Sequence, residues 1–117
     1  MEQNYKEIRP WGTFENLIDK AHTKVKILTV KPNEQLSLQS HEHRDEDWII
    51  VKGNPTIFID EKKFMAKYGN HYKIPGGSKH RIANETSEVA EIIEVQTGDG
   101  FDEDDIKRYD DIYGRVD

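Results

Sequence analysis

Short segments of alternating apolar and polar residues, separated by turn residues, run through most of the chain. In residues 24–30, a strand would place Val25 and Ile27 on one face and Lys26 and Leu28 on the other. The segments with a strand-like pattern are 24–30 (KVKILTV), 35–43 (QLSLQSHEH), 47–54 (DWIIVKGN), 56–60 (TIFID), 64–68 (FMAKY), 71–77 (HYKIPGG), 80–84 (HRIAN) and 88–98 (EVAEIIEVQTG). Short strands recurring every 8–12 residues or so predict an all-β sandwich or barrel.

The end of the chain has a different character. Residues 103–114 (EDDIKRYDDIYG) carry acidic residues early and basic residues later, an order that suits the dipole of an α-helix. Apolar and aromatic residues at Ile106, Tyr109, Ile112 and Tyr113 would pack such a segment onto the sandwich. The sequence therefore predicts a short C-terminal helical segment.

The segment 47–54 is apolar on both of its strand faces. Trp48 and Ile50 would share one face, while Ile49 and Val51 would share the other. A sheet with two apolar faces is covered on both sides. In a domain of this size the second cover could come from another subunit, which motivates the prediction of a homodimer.

Composition narrows the classes of function. The chain has 117 residues, 34% of them charged, and a formal net charge of −6, which predicts a single domain over residues 1–117 and argues against a nucleic-acid partner. A phosphorylated small molecule stays possible because a pocket sets its own local charge. No run of 18 apolar residues predicts a membrane-spanning helix, and the opening MEQNYKEIRPWG lacks the order of a signal peptide, so a cytoplasmic protein is expected.

Cysteine is absent, so any bound metal must be held by nitrogen and oxygen. The stretch LSLQSHEHRDEDW, residues 36–48, contains three potential metal ligands and an amide: Gln39, His41, His43 and Glu46. By strand alternation Gln39, His41 and His43 point the same way. The alternative is a set of solvated polar residues on a strand.

A second motif lies downstream in GNHYKIPGGSKHRIAN, residues 69–84. It spaces five residues as in the second cupin motif: Gly69, Pro75, Gly77, His80 and Asn84. The first cupin motif (Gly, five residues, His-x-His, three or four residues, Glu, six residues, Gly) is matched from Asn33 to Gly53 with two departures. Asn33 replaces the first glycine, which a turn with positive φ tolerates, and Gln39 replaces the first histidine.

The chain thus resembles the cupins, and more closely the cupin domain of type II phosphomannose isomerases. This narrower resemblance rests on the stretches RPWG, LSLQ-x-H-x-HR, P-x-G-x-x-HR, EVQTG and EDDI-x-R-x-DD-x-YGR, and it extends from Arg9 to Arg115. It implies a jelly-roll β-sandwich or barrel. That domain usually follows a nucleotidyltransferase domain, for which 117 residues leave no room, so a stand-alone cupin is expected.

The resemblance implies a metal site formed by Gln39, His41, Glu46 and His80. Strand alternation agrees, since Gln39 and His41 share a face and Glu46 would enter the same interior from the next strand. Two imidazoles, a carboxylate and an amide oxygen suit a divalent metal, with zinc favoured and manganese, iron, cobalt or nickel as alternatives. Gln39 could instead bond a neighbouring residue without touching the metal. Asp47 replaces a histidine common in the family, but it should face away from Glu46, so the metal site is expected to persist.

Two groups of residues are candidates for the surrounding chemistry. As catalytic residues we consider His43 or Glu94 as the base and Arg81 as the group that stabilises an anion. As substrate-binding residues we consider Arg44, Arg81, Gln96 and Arg108, the last on the strength of the family match in the tail. The alternatives are ordinary surface charges for the arginines, a residue bonded to a metal ligand for His43, and a solvent-facing edge for Glu94 and Gln96.

The function implied is a metal-dependent aldose–ketose isomerase acting on a sugar phosphate, with mannose 6-phosphate and fructose 6-phosphate as the pair. The metal would stabilise an enediolate formed by removal of the C2 proton. One alternative is a non-catalytic cupin that binds a sugar phosphate or nucleotide sugar, and another is an isomerase-like enzyme acting on a different sugar of polysaccharide biosynthesis. An oxygen-using cupin would favour more imidazole ligands than this chain offers.

Overall fold

The computed structural model describes residues 6–101 and 105–110. Within these residues eleven strands are present: β1 (Lys6–Arg9), β2 (Gly12–Asp19), β3 (Thr23–Val30), β4 (Leu38–His41), β5 (Arg44–Lys52), β6 (Thr56–Ile59), β7 (Lys62–Met65), β8 (His71–Ile74), β9 (His80–Ala83), β10 (Ala90–Gly98) and β11 (Ile106–Asp110). They form a six-stranded sheet in the order β1-β2-β3-β10-β5-β8 and a five-stranded sheet in the order β11-β4-β9-β6-β7. The predicted all-β jelly roll is confirmed.

The apolar core lies between the two sheets. Trp48 and Ile50 of β5 are buried together with Ile92 of the neighbouring β10, and Ile82 of β9 belongs to the same cluster from the other sheet. Ile49 points to the outer face of the six-stranded sheet and is 39% exposed. The predicted alternation of β5 is therefore correct, but the described part of the chain does not cover its outer face at Ile49.

Two turn positions of the first motif explain why the sequence pattern selects this fold. Asn33 has a φ of 60°, as expected for a residue in place of the motif's glycine. Gly53 has a φ of 80°, and a Cβ atom there would lie 2.7 Å from the carbonyl oxygen of Val89. Glycine is required at residue 53 because the chain passes this close to the start of β10.

Strands β1 and β2 were not predicted from the sequence. Residues 6–19 mix charged and apolar side chains and include Pro10 and Gly12, a composition typical of a loop. They form strands because β3 offers a free edge, along which β2 pairs antiparallel. Tertiary pairing outweighs weak local preference here.

The predicted C-terminal helix is wrong for the residues that are described. Ile106–Asp110 is a strand, β11, that pairs antiparallel with β4, while residues 103–104 and 111–114 of the predicted helix lie outside the described residues. The order of acidic and basic residues favours a helix by less free energy than residues 106–110 gain from backbone hydrogen bonds to the edge of β4. In the described ranges there is also no helix of the length and hydrophobicity needed to cross a membrane.

Candidate metal centre and surrounding cavity

Three buried side chains from three strands meet between the sheets. His41 ends β4, Glu46 lies near the start of β5, and His80 begins β9; they are 3%, 1% and 4% exposed. One potential ligand atom from each lies within 4.8 Å of the others. The structure thus brings together three of the four side chains that the sequence predicted as metal ligands, each from a separate stretch of the chain.

The two histidines are placed by the pairing of β4 with β9. Gln39 lies directly opposite His80 in this ladder, so Gln39 and His41 face the cavity on the same side as His80. The Gly77 N–H donates to the carbonyl oxygen of His41 at 2.7 Å, which fixes the turn before β9 against the end of β4. The rings of His41 and His80 stack with their centroids 5.1 Å apart.

Both imidazoles are held neutral. Burial lowers the pKa of His41 to about 3 and that of His80 to about 4. His80 Nδ1 lies 3.0 Å from the carbonyl oxygen of Ser78, and because a carbonyl only accepts, Nδ1 carries the proton and Nε2 keeps its lone pair. Neutral imidazoles with a fixed tautomer are the form that binds a metal.

The donor set fits a divalent cation. Two imidazoles and one carboxylate are common ligands of Zn²⁺ and its first-row neighbours, and among the described residues His41 Nδ1 is buried without a hydrogen-bond partner. Gln39 lines the same cavity; its amide nitrogen donates to Ser37 Oγ at 3.1 Å. That bond does not use the amide oxygen, the atom of a glutamine side chain that ligates cations.

The two oxygens of Glu46 have separate donors. Trp48 Nε1 donates to Oε1 at 3.0 Å, and Arg44 Nε donates to Oε2 at 3.0 Å. Asp47, which lies between Glu46 and Trp48 in the sequence, faces the other side of the sheet and pairs with His71 at 2.9 Å. The expected outward orientation of Asp47 is therefore correct.

Glu94 and Gln96 of β10 form the polar wall that the sequence placed there. They are 7% and 1% exposed and line the cavity, opposite Trp48 and Glu46 in the β10–β5 ladder. Burial raises the pKa of Glu94 to about 8, and the charge of Glu46 and a hydrogen bond to it act in the same direction. Gln96 Oε1 is buried without a hydrogen-bond partner in the described part of the chain.

The arginines predicted to bind substrate all line the cavity, but in different environments. Arg108, on β11 opposite Gln39, has a buried Nε without a partner among residues 6–101 and 105–110. Arg81, by contrast, already donates hydrogen bonds to other residues. Its Nε donates to the Leu36 carbonyl oxygen at 3.0 Å. Its Nη2 donates to the carbonyl and carboxylate oxygens of Asp110 at 2.9 and 3.1 Å.

His43 is not brought to the cavity. The sequence placed it on the same face as Gln39 and His41, but β4 ends at His41, and His43 is exposed in the following bend. The strand alternation stops where the strand stops, so this expected inward orientation is wrong. The His43 backbone N–H instead donates to the carboxylate of Asp105 at 3.0 Å.

Comparison with known proteins decides the family. Residues 1–111 match the profile of the family described as mannose-6-phosphate isomerase C-terminal. The chain belongs to this family. It is 45% identical over 115 residues to the alginate biosynthesis protein AlgA of Pseudomonas aeruginosa, an alignment that covers 97% of this chain and 24% of AlgA. The chain therefore spans about a quarter of the length of that relative.

Solved structures support the cupin fold. The capsular polysaccharide assembling protein CapF of Staphylococcus aureus superposes with a TM-score of 0.83 at 17% identity, over 95% of this chain and 35% of CapF. The cupin domain of Schizosaccharomyces pombe Cnp3 superposes with a TM-score of 0.71 at 15% identity, over 74% of this chain and 64% of that chain. At these identities the likeness concerns the fold alone.

One wall of the cavity was missed by sequence reasoning. Strands β1 to β3 and the turn between β1 and β2 contribute Arg9, Trp11, Phe14 and Lys26 to the lining. The Lys26 ammonium lies 4.4 Å from the centre of the Phe14 ring. Lys26 could have been identified, because it shares its strand face with Leu28, a core residue.

Proposed function

We propose that this protein is a metal-dependent sugar-phosphate isomerase that interconverts mannose 6-phosphate and fructose 6-phosphate. The observation that carries the proposal is the meeting of the cluster His41, Glu46 and His80 with the carboxyl group of Glu94 inside one cavity lined by cationic side chains. The name of the matched family supports the choice of substrate pair.

The metal would be held by His41, Glu46 and His80, with Gln39 as a fourth ligand through its amide oxygen. A divalent metal bound there would supply a Lewis acid for the carbonyl and the adjacent hydroxyl of the sugar. Of the candidate metals we favour zinc, and manganese, iron, cobalt and nickel suit the same donors.

Glu94 is our choice for the base, in preference to His43, because Glu94 lines the cavity and His43 is exposed outside it. In the reaction, the carbon-bound proton moves from C2 to C1 while the hydroxyl proton of O2 passes to O1, so no other reactant is consumed. One carboxylate beside the sugar, that of Glu94, can accept the C2 proton and return it to C1. A divalent cation held by the neighbouring ligands would lower the pKa of Glu94 from its raised value, so that the carboxylate is available near neutral pH.

Cationic side chains would hold the phosphate and the sugar oxygens. Arg108 and Lys26 line the cavity from different sheets, one on β11 and one on β3, and Arg44 lines it beside His41 and Glu46. In a chain with a net charge of −6, cations gathered in one cavity favour an anionic ligand. Gln96 would bond a sugar hydroxyl through its unpartnered oxygen. Arg81 would act indirectly, because its guanidinium is bound to Leu36 and Asp110.

The test is a coupled assay of mannose 6-phosphate interconversion with each candidate metal, comparing the wild type with His80→Ala. We expect turnover by the wild type, and we expect His80→Ala to abolish both turnover and metal binding. Metal bound without turnover on any hexose phosphate would instead favour the alternative of a non-catalytic sugar-phosphate binding cupin. Asp47→His would then show whether the departure from the family's usual histidine removed activity.

A further inference from the structure

One guanidinium group contacts two of the three side chains of the metal cluster. Arg44 Nη2 lies 2.6 Å from His41 Nε2, and Arg44 Nε lies 3.0 Å from Glu46 Oε2. The Arg44 side chain is only 8% exposed, so both contacts are made away from bulk water. The Arg44 guanidinium therefore already occupies one nitrogen of His41 and one oxygen of Glu46.

The contact with His41 is incompatible with metal binding through either ring nitrogen. A guanidinium only donates, so His41 Nε2 must be the acceptor and His41 Nδ1 must carry the proton. A metal on Nε2 would take the lone pair that Arg44 uses. A metal on Nδ1 would shift the proton to Nε2, where it would face a second N–H group at 2.6 Å. In both cases Arg44 must leave His41.

A second hydrogen bond would hold Glu46 in its orientation when Arg44 leaves. Its other oxygen, Oε1, accepts a hydrogen bond from the buried indole of Trp48 at 3.0 Å. Only Oε2 is shared with Arg44. Loss of the guanidinium would thus free one carboxylate oxygen for a metal while the other remains fixed.

Arg44 itself lines the cavity together with Gln96 and Arg108, so a freed guanidinium has a polar space to enter. A guanidinium without its carboxylate partner is stabilised by another planar or tetrahedral oxyanion, which it binds through two parallel N–H donors. The structure thus contains both parts of an exchange in which Arg44 gives up Glu46 and gains an anion.

We propose that Arg44 is an internal competitor of the metal, displaced from His41 and Glu46 on metal binding and then available to bind the anionic group of the ligand. Metal and oxyanion therefore bind with positive coupling, each favouring the displaced position of Arg44. This inference rests on the metal site of the proposed function but not on its reaction.

The test measures Co²⁺ affinity by calorimetry, with the visible absorption of bound Co²⁺ as a second readout and no sugar present. Sulfate serves as the oxyanion probe, against chloride at matched ionic strength. Arg44→Gln should bind Co²⁺ at least about tenfold more tightly than the wild type, because the competing cation is lost. Sulfate should tighten Co²⁺ binding in the wild type, and much less so in Arg44→Gln, which keeps Arg108 and Lys26 in the cavity.

Lys63→Gln is the matched control, since it removes the same charge from an exposed position on β7. It should keep both the wild-type Co²⁺ affinity and the response to sulfate. Unchanged or weaker Co²⁺ binding by folded Arg44→Gln would overturn the proposal, as would a wild type that does not respond to sulfate. The sulfate measurement on the wild type needs no variant, so an absent response overturns the proposal even if Arg44→Gln does not fold. Failure of the isomerase assay would leave these binding results unchanged.

Discussion

The protonation of Glu94 affects both the chemistry of the cavity and the stability of the protein. Its pKa is raised to about 8 by burial and by the adjacent Glu46, whereas an unfolded chain would release this proton near 4.5. The folded state therefore holds one more proton than the unfolded state between these values, and stability must fall as the pH rises through this window. A bound cation would lower the raised pKa of Glu94, so the predicted fall in stability applies to the metal-free protein.

We expect the free energy of unfolding of the metal-free wild type to decrease by about 0.5–1 kcal/mol from pH 7.5 to pH 9. Above pH 7.5, a full unit over the ordinary histidine value, His41 and His80 are almost entirely neutral in both states and contribute little to this change. Glu94→Gln has no proton to release and should show almost no dependence over the same range. Urea denaturation with a chelator present measures both.

The matched control is Glu91→Gln, on the same strand but with its side chain on the opposite face of the sheet. It should follow the wild type. A Glu94→Gln variant whose stability declines in parallel with the wild type would show that another group releases the proton.

At the scale of elements, β11 is held at both ends by side chains rather than by a long ladder. At its start, the Asp105 carboxylate accepts the backbone N–H groups of Glu42 and His43 at 3.1 and 3.0 Å. Although burial acts to raise it, the pKa of Asp105 lies below its ordinary value because these two groups donate to the carboxylate. At its end, Arg81 binds Asp110. These contacts place Arg108 over the cavity.

Asp105→Ala should therefore loosen β11 without touching the metal ligands. We expect the free energy of unfolding to fall by about 1 kcal/mol for the lost hydrogen bonds. The KM for mannose 6-phosphate should rise severalfold while Co²⁺ affinity stays unchanged, because Arg108 loses its position and the metal cluster does not. Kinetics combined with calorimetry separate the two effects.

Asp99→Ala is the corresponding control, because Asp99 is an aspartate on an exposed bend close to the same region. It should change neither quantity. If Asp105→Ala lowered metal affinity as well as raising KM, β11 would be supporting the metal site directly rather than positioning Arg108.

At the scale of the whole molecule, the outer face of the six-stranded sheet carries an apolar surface. Ile49 and Ile18 are 39% and 45% exposed on it, and the half-buried Val25 and Val95 lie opposite each other in the β3–β10 ladder between them. Exposed apolar surface of this kind is typical of a protein interface. A homodimer through this face remains our prediction.

Light scattering at micromolar concentration should give the mass of a dimer for the wild type and of a monomer for Ile49→Lys, because a buried, unpaired ammonium group is costly at an interface. Met65→Lys is the control: Met65 is also exposed, at 69%, but lies on β7 of the other sheet. A monomeric wild type would contradict the prediction.

The sequence, through strand alternation and its resemblance to the cupins, determined the fold class and the residues of the candidate metal cluster. Strand alternation and motif spacing are local properties, so they placed Gln39 and His41 on one face and predicted the turn at Asn33 without knowledge of the rest of the chain. His80 could be assigned with them because residues 69–84 match the spacing of the second cupin motif, which is a resemblance to known proteins and not a consequence of alternation.

Only the tertiary structure decided which other side chains reach the cavity and what they contact there. Residues 106–110 form a strand because the edge of β4 is free, and His43 is exposed because β4 ends before it. Lys26 lies near Glu94 because β3 and β10 pair, and Arg44 meets His41 across a bend in the chain. Each of these outcomes depends on which partner is available in space, and local sequence preference does not contain that information.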